Sequence, residues 1–233
     1  LKCMYTNMDT YNNKRAELEA RIALIGPDII GLTELNPKNA TWELIEQDIQ
    51  IRGYTVYANM AGRGMAVYIR ENMFSTAVEL KSGEEGEATV WCEVKLKDQD
   101  RLLIGIVYRS PNSTEEMNQQ LTLVIKDIVN RKSSHLLMMG DFNYPGIDWD
   151  LEITEGSQDE ENFLQQIKDC FLWQHVKRPT HFRTMQKANI LDLIFTNEEG
   201  MIHEFNYEEP IGKSDHLVLS WIYNCYVPRK ATQ

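Results

Sequence analysis

The chain has 233 residues, 42% of them hydrophobic, which is enough for a sizeable core in one large domain or two small ones. Its 24 basic and 35 acidic side chains give a net charge of −11, which excludes binding of nucleic acid through overall charge alone. Either the partner is not a polyanion, or metal ions and a local basic patch supply positive charge. The four cysteines are far apart and form no CxxC pair, which argues against a zinc site and indicates reduced thiols in an intracellular protein. No stretch reaches the length of a membrane span and no signal peptide is visible, so no membrane partner is expected.

The first quarter of the chain predicts alternating strands and helices. The predicted strands are CMYTNMD (3–9) and DIIGLTEL (28–35), and the predicted helices are NNKRAELEARIALIGPD (12–28) and TWELIEQDI (41–49). Asn12 or Asn13 can cap the first helix, and Gly26 ends it. The apolar residues at helical spacing are Leu18, Ile22 and Ile25 in the first helix and Trp42, Ile45 and Ile49 in the second.

The rest of the chain is richer in strands. Short apolar or alternating segments predict strands at 54–58, 64–69, 88–96, 101–109, 135–141, 190–197, 202–209 and 216–223. Two helices are predicted, at 113–130 and 159–171. Ser113 and Glu116 form a capping box for the first of these. Their apolar stripes are Met117, Leu121, Val124 and Ile128 in the first and Phe163, Ile167 and Cys170 in the second. Many strands with fewer helices favour two packed sheets with helices outside, in a single domain over 1–233.

Polar side chains gather where these strands begin or end. They are Asn7, Asp9, Glu34, Tyr108, Asp141, Asn143, Asp192, Ser214, Asp215 and His216. Loops at strand ends are where a rigid scaffold presents chemistry, and an acid within an apolar strand is costly to bury without a compensating cation or donor. Several such acids could share one divalent ion, and Mg2+ prefers oxygen ligands.

Each element taken alone also has a purely structural interpretation. The GDFN segment (140–143) is equally typical of a strand followed by an Asx turn. Glu34 alone favours a salt-bridged residue at a strand end, Tyr108 a core tyrosine, and Ser214-Asp215-His216 a turn or helix cap. Asp192, among Ile and Leu, is harder to explain this way, because an unpaired buried acid is expensive.

The ordered combination of these motifs resembles the endonuclease/exonuclease/phosphatase superfamily. The motifs are Asn7-Met8-Asp9, Thr33-Glu34, Val107-Tyr108-Arg109-Ser110-Pro111, Gly140-Asp141-Phe142-Asn143, Leu191-Asp192-Leu193-Ile194-Phe195 and Ser214-Asp215-His216. Together they span nearly the whole chain. Within the superfamily, segments such as PDIIGLTE, GDFNYPGIDW, PTHFRTMQKANILDLIFTN and GKSDHLVLSW are similar to the AP-endonuclease-like endonuclease domain of LINE-type non-LTR retrotransposons. The commonest family pattern has Trp before the first Asn, whereas here Thr6 precedes Asn7.

This resemblance implies a DNase I-like fold, an α/β/β/α sandwich in which two mixed β-sheets are flanked by helices. It implies a parent polyprotein with a reverse transcriptase downstream. The expected activity is Mg2+-dependent nicking of one DNA strand, with Mn2+ able to substitute, leaving a 3′-hydroxyl that primes reverse transcription. Expected partners are double-stranded DNA, and element RNA and reverse transcriptase in cis. The protein would be made in the cytoplasm and act in the nucleus.

The resemblance also assigns roles residue by residue. Glu34 would hold the metal ion, with Asp9 and Asp215 near it. Asp141 would orient or deprotonate the attacking water, and Asn143 would position water or phosphate. His216 would contact the phosphate, with Asp192 accepting its other ring proton. Tyr108 and Asn7 would donate hydrogen bonds to phosphate or to neighbouring acids. Arg63, Arg109 and Arg183 could contact DNA phosphates, whereas His135, His175, His181 and His203 are expected to be ordinary surface or core histidines.

Two other classes of function remain open at this stage. One is an abasic-site repair endonuclease or a phosphomonoesterase of the same superfamily. Tyr108 resembles the abasic and retrotransposon branches, and GDFNYPGIDW lacks the basic residues expected of an inositol phosphatase. The other is an inactive domain kept for binding, against which the retention of every motif acid argues.

Overall fold

The computed structural model describes residues 1–39, 44–80, 89–131, 133–185 and 187–230. The strands, in chain order, are β1 (Lys2–Asn7), β2 (Ile29–Thr33), β3 (Tyr54–Asn59), β4 (Met65–Arg70), β5 (Ser75–Ala77), β6 (Thr89–Lys95), β7 (Arg101–Tyr108), β8 (His135–Asp141), β9 (Ile147–Asp148), β10 (Ile153–Thr154), β11 (Trp173–Gln174), β12 (Asp192–Thr196), β13 (Ile202–Glu208) and β14 (Val218–Tyr223). The helices are α1 (Arg15–Ile25), α2 (Glu115–Asn130) and α3 (Gln158–Asp169), with 3-10 turns at Asn12–Lys14, Glu46–Ile49, Lys97–Gln99 and Glu199–Met201.

The strands form two six-stranded sheets and a small hairpin. The first sheet has the order β13-β14-β1-β2-β4-β3, the second has the order β11-β12-β8-β7-β6-β5, and β9 pairs with β10. Each six-stranded sheet contains one parallel pair, β1 with β2 and β7 with β8, among antiparallel neighbours. Both sheets are therefore mixed, as the sequence predicted.

Three apolar layers separate the two sheets and the helices. The middle layer lies between the sheets, where Tyr5 and Val67 of the first sheet share a cluster with Ile104 and Met139 of the second. A second cluster joins the outer face of the second sheet to α2 and α3, and a third joins the outer face of the first sheet to α1. This is the α/β/β/α sandwich that the sequence predicted.

Strand alternation aims the motif residues into the gap between the sheets. In β8, Leu137 and Met139 face the other sheet while Leu136 and Met138 face the helices, because successive side chains of a strand point to opposite sides. Asp141, two residues after Met139, points to the same side, into the space between the sheets. A strand buried on both faces explains the unbroken apolar run that precedes this acid.

The same rule holds for the neighbouring strands. Asn7 follows the inward-facing Cys3 and Tyr5 in β1, and Tyr108 follows Ile104 and Ile106 in β7. Pairing brings the strand ends together, because Asp141 is in register with Tyr108 on one side and with Asp192 on the other. The fold thus collects the motif residues at one end of the space between the sheets.

Several predicted details of the helices are wrong. Of the second predicted helix, the described residues 44–49 form a 3-10 turn over Glu46–Ile49, and Ile45 is exposed; residues 41–43, with Trp42, lie outside the described ranges. Neither Asn12 nor Asn13 caps α1, which follows a 3-10 turn without a side-chain cap, although Gly26 does end the helix in the left-handed conformation.

The start of α2 is also shifted by one residue. Thr114, not Ser113, is the N-cap, and its hydroxyl accepts a hydrogen bond from Met117 N at 3.3 Å. Met117 is exposed, contrary to the prediction, whereas Leu121, Val124 and Ile128 form the buried stripe as predicted.

All four cysteines are free thiols, two buried and two partly buried, in agreement with the prediction of reduced cysteines. Within the described ranges, no helix combines the length and the apolar character needed to cross a membrane.

Candidate active site

The strand ends bring an amide, two acids and an imidazole into contact. Asn7 Nδ2 donates a hydrogen bond to Asp141 Oδ2 at 2.9 Å, across the gap between the sheets. His216 Nδ1 donates to Asp192 Oδ2 at 2.7 Å, and His216 Nε2 faces Asp141 Oδ2 at 3.9 Å. The loop that carries His216 is fixed to β1, because the hydroxyl of Ser214 donates to the carbonyl oxygen of Asn7 at 2.9 Å.

Asp192 is completely buried and its charge is compensated on two sides. Tyr5 donates its hydroxyl to Asp192 Oδ1 at 2.9 Å, and the Tyr5 oxygen also lies 3.0 Å from Thr33 Oγ1. The Asp192 backbone N–H is held by Thr180 Oγ1 at 3.1 Å. Each carboxylate oxygen of Asp192 thus accepts one hydrogen bond, from Tyr5 and from His216. Because Tyr5 holds the carboxylate in place, the carboxylate holds the His216 ring in one orientation.

The electrostatics favour a charged imidazole. Burial opposes the charge on His216, but the charge and hydrogen bond of Asp192 overcome it and raise the pKa of His216 to about 9. The pKa of Asp192 is lowered in return, since the imidazolium outweighs the cost of burial.

Asp141 shows the opposite behaviour. Burial raises the pKa of the Asp141 carboxyl to about 8, assisted by the charges of Asp192 and Glu34 and opposed by His216 and the Asn7 amide. Burial likewise raises the pKa of the Tyr108 hydroxyl, and Glu34 and Asp141 act in the same direction, so Tyr108 is a neutral donor. A carboxyl group whose pKa lies near neutrality beside an imidazolium is suited to accept a proton from water.

A second acidic group lies at the end of β2. Glu34 is buried and adopts a φ of +52°, and its Oε2 forms an ion pair with Arg63 Nη2. The same nitrogen lies 3.4 Å from Asp9 Oδ1. The charges of Asp9, Asp215 and Glu34 all oppose the lowering of the Lys14 pKa by burial.

The GDFN turn (140–143) is held in place by the buried Arg109. Arg109 Nη1 donates to the carbonyl of Asn143 at 3.0 Å, Asn143 Nδ2 donates to the carbonyl of Arg109 at 2.7 Å, and Arg109 Nε donates to Asn118 Oδ1 at 2.8 Å. The guanidinium lies 4.0 Å from the centre of the Tyr144 ring. These contacts hold Asn143 at a φ of +50°, which is uncommon for a non-glycine residue.

Two groups of side chains offer ligands for a cation. The ligand atoms of Asp141, Asp192 and His216 lie within 4.8 Å of one another. However, the oxygens of Asp192 already accept from Tyr5 and His216, and an imidazolium cannot donate a lone pair. Glu34 and Asp9, by contrast, both direct an oxygen at one cationic nitrogen. Hard oxygen donors of this kind fit a divalent ion such as Mg2+, which Glu34 and Asp9 would hold with Asp215 nearby.

The predicted DNA-contacting arginines have different environments. Arg63 is engaged by the two acids, and Arg109 is buried under Asn143, so its predicted DNA contact must be replaced by an internal structural role. Arg183 is exposed and its Nε lies 3.9 Å from Asp215 Oδ2, where it can still reach a ligand.

Some site residues were missed in the sequence. Tyr5 and Thr180 hold Asp192, and Lys14 donates from Nζ to the backbone carbonyls of Met8 at 2.6 Å and Asp9 at 2.8 Å. His181, treated as an ordinary histidine, has its ring centre 4.8 Å from that of His216. Of these residues, only Tyr5 could have been predicted from the sequence. It precedes Asn7 by two residues in the same strand and therefore points to the same side of the sheet.

A fold of two packed mixed sheets, with this amide, acid and imidazole set at one end, defines an enzyme of the endonuclease/exonuclease/phosphatase superfamily. Residues 102–220 match the family described as endonuclease-reverse transcriptase, and the chain belongs to that family. A comparison with curated proteins gives no match.

Solved structures share the fold at low sequence identity. The endonuclease domain of TRAS1, a telomere-specific non-LTR retrotransposon, superposes with a TM-score of 0.74 and 14% identity over 96% of this chain and 98% of that one. The AP endonuclease LMAP from Leishmania major gives 0.73 and 12% over 96% and 87%. A variant of the 3′ phosphatase NExo from Neisseria, bound to a product DNA hairpin, gives 0.69 and 16% over 96% and 99%.

Proposed function

We propose that this protein is a Mg2+-dependent DNA endonuclease that nicks one strand and leaves a 3′-hydroxyl for priming reverse transcription. The observation that carries the proposal is the convergence of Glu34, Asp141 and His216 at one end of the space between the sheets. The match to the endonuclease-reverse transcriptase family supports the choice of DNA as substrate.

The side chains divide the chemistry between them. Asp141 accepts the proton of the attacking water, because its pKa near 8 makes it a base when deprotonated close to neutral pH. The amide of Asn7 keeps the Asp141 carboxylate in place. His216, as an imidazolium, donates from Nε2 to a phosphate oxygen and offsets the charge that develops there. Asn143 and Tyr108 add neutral hydrogen-bond donors at the same edge.

Glu34 and Asp9 would hold the divalent ion, and Mn2+ would serve in place of Mg2+. When bound, the ion polarises the phosphate and stabilises the leaving 3′ oxygen. With a net charge of −11, the domain should bind DNA only modestly by itself. Tethering to the reverse transcriptase in cis and to the element RNA would raise the local concentration of this domain at its DNA target. The site of action would be the nucleus, after synthesis in the cytoplasm.

A supercoiled-plasmid assay tests the proposal. The wild-type protein should convert the plasmid to the open circle with Mg2+ or Mn2+ and not with EDTA, and Asp141→Asn should abolish nicking. Asp150→Asn, which removes an exposed acid in the same segment, is the matched control and should remain active. A DNA polymerase should extend the nicked ends directly if they carry a 3′-hydroxyl. Persistent nicking by Asp141→Asn would disprove the proposed role of this site.

The alternative is a repair enzyme for abasic sites or a phosphomonoesterase of the same superfamily. The fold does not separate the candidates, since the TM-scores to TRAS1 and LMAP are 0.74 and 0.73. Substrate comparison does: an oligonucleotide with an abasic site that is cut far faster than intact DNA would favour repair. Release of inorganic phosphate from 3′-phosphorylated DNA or from inositol phosphates would favour a phosphomonoesterase.

A further inference from the structure

Arg63 lies against the two acids that would hold the divalent ion. Its side chain is only 14% exposed, and its Nη2 lies between Glu34 Oε2 and Asp9 Oδ1, the two carboxylates that would hold the divalent ion. Among the described residues, neither Nε nor Nη1 of Arg63 has a hydrogen-bond partner, although both atoms are buried. The guanidinium is therefore held mainly by its attraction to the two acids.

The turn that carries Arg63 is fixed through its backbone. Arg63 lies in a turn between Gly62 and Gly64, whose φ angles of +58° and +70° suit glycine. The turn is fastened to the segment that follows Glu34: Leu35 N donates to the carbonyl of Gly64 at 3.2 Å, and Asn36 N donates to that of Arg63 at 2.7 Å. The same segment therefore positions both the acid and its cationic partner.

We propose that Arg63 is a built-in counter-cation that competes with the divalent ion for Glu34 and Asp9. A guanidinium and a metal ion cannot both lie within contact distance of the same carboxylate oxygens without strong mutual repulsion. Arg63 must therefore move away from Glu34 when the ion binds. The arginine offsets the charge of the buried Glu34 and of the partly exposed Asp9 before the ion arrives, and it lowers the affinity for the ion. This inference rests on the metal site in the proposed function.

Lys14 does not perform this task, although it too is a cation close to the acids. Its Nζ donates to two backbone carbonyls, of Met8 and Asp9, and burial lowers its pKa. Its bonds thus stabilise the loop after β1. Arg63 is the cation whose nitrogen contacts the carboxylate oxygens themselves.

The test measures binding of Mn2+ alone by isothermal titration calorimetry, without DNA. Arg63→Gln removes the charge and retains amide donors, and it should bind Mn2+ about tenfold more tightly or better than wild type. Arg101→Gln is the control: it removes an exposed positive charge that pairs with Glu93 at the end of β7 opposite Tyr108, so its Mn2+ affinity should stay within about twofold of wild type. Glu34→Gln should abolish binding.

Thermal unfolding gives an independent readout. In EDTA, Arg63→Gln should unfold at a lower temperature than wild type, because Glu34 loses its only guanidinium partner in the described residues. Saturating Mn2+ should then raise the melting temperature of Arg63→Gln more than that of wild type.

The outcomes separate the inference from the proposed function. Equal or weaker Mn2+ binding by Arg63→Gln, with binding still lost in Glu34→Gln, would overturn the role of Arg63 and leave the metal site standing. Absence of Mn2+ binding in wild type and Arg63→Gln, both folded by circular dichroism, would overturn the metal site and the inference with it. Arg63→Lys, which keeps the charge, should bind Mn2+ less tightly than Arg63→Gln.

Discussion

Replacing Asp192 by Asn should change the charge of His216 without removing any side chain that touches substrate. Asp192 is fully buried and accepts from both His216 and Tyr5, so the isosteric amide preserves volume but not the negative charge. In the wild type this carboxylate is the main reason that a buried imidazole is protonated at all.

The structure sets the size of the effect. A rise in the pKa of His216 from 6.5 to about 9 corresponds to about 3 kcal/mol in favour of the imidazolium. Without the Asp192 charge, burial is opposed only by more distant acids, and the pKa should fall to near 6.5 or below. At pH 7.5 the imidazolium fraction would drop about tenfold. The nicking rate should fall further, by at least about a hundredfold, because the ring also loses its fixed orientation.

Nuclear magnetic resonance can follow the His216 ring directly during a pH titration, alongside plasmid nicking at pH 7.5. Tyr5→Phe provides a graded comparison, since it removes one donor to Asp192 and keeps the charge. Its His216 should titrate close to the wild-type value. If the pKa of His216 stayed above 8 in Asp192→Asn, the carboxylate would not be what charges the imidazole, and the electrostatic reasoning would fail.

Three further predictions concern Asp141, Arg109 and Gly140. In EDTA, the free energy of unfolding should fall as pH rises from about 4 to about 6.5, because the folded state keeps a proton on Asp141, with a pKa of about 8, that the unfolded state has lost at 3.8. The raised pKa of His216, about 9 against 6.5, adds its own loss only above this range. Asp141→Asn should flatten this slope in a denaturant titration while it abolishes nicking, and an unchanged slope would contradict the assignment. Arg109→Lys should lower kcat about tenfold with KM little changed, since a lysine cannot bond both Asn118 and the carbonyl of Asn143, and Arg109 itself is buried away from DNA. A rise in KM alone would indicate a DNA contact instead. Gly140→Ala should lower the free energy of unfolding, measured by chemical denaturation, by about 3 kcal/mol or more, because the added Cβ would lie 1.9 Å from a backbone carbonyl oxygen of β7. Gly200→Ala is the control: its Cβ meets nothing within 4 Å, so it should be tolerated.

The fold was largely predictable because its strands carry strong local signals. The run Leu136–Met139 reads as a strand buried on both faces, and the structure places it in the middle of the second sheet. Helix ends were less predictable, since Ser113 and Thr114 are chemically equivalent caps one residue apart. The described residues 44–49 belong to a segment with helical apolar spacing, yet they form a short 3-10 turn.

The candidate site divides in the same way. The motif acids and His216 could be named from the sequence because each stands at a strand end. Their partners could not, because the Tyr5–Asp192 contact joins residues 187 positions apart on different sheets. Likewise, nothing in the sequence distinguishes an arginine that reaches solvent from Arg109, whose partner Asn118 comes from α2.

The site is assembled from both halves of the sandwich, with Asn7, Glu34 and His216 supplied by the first sheet and its loops and Tyr108, Asp141 and Asp192 by the second. Neither half on its own holds a hydrogen-bonded pair such as Asn7–Asp141 or Asp192–His216. Cleavage should therefore be an all-or-none property of the intact domain. A frameshift or deletion that removes either sheet would leave no weakened nuclease behind, and complementation would require two fragments that reassemble the entire interface.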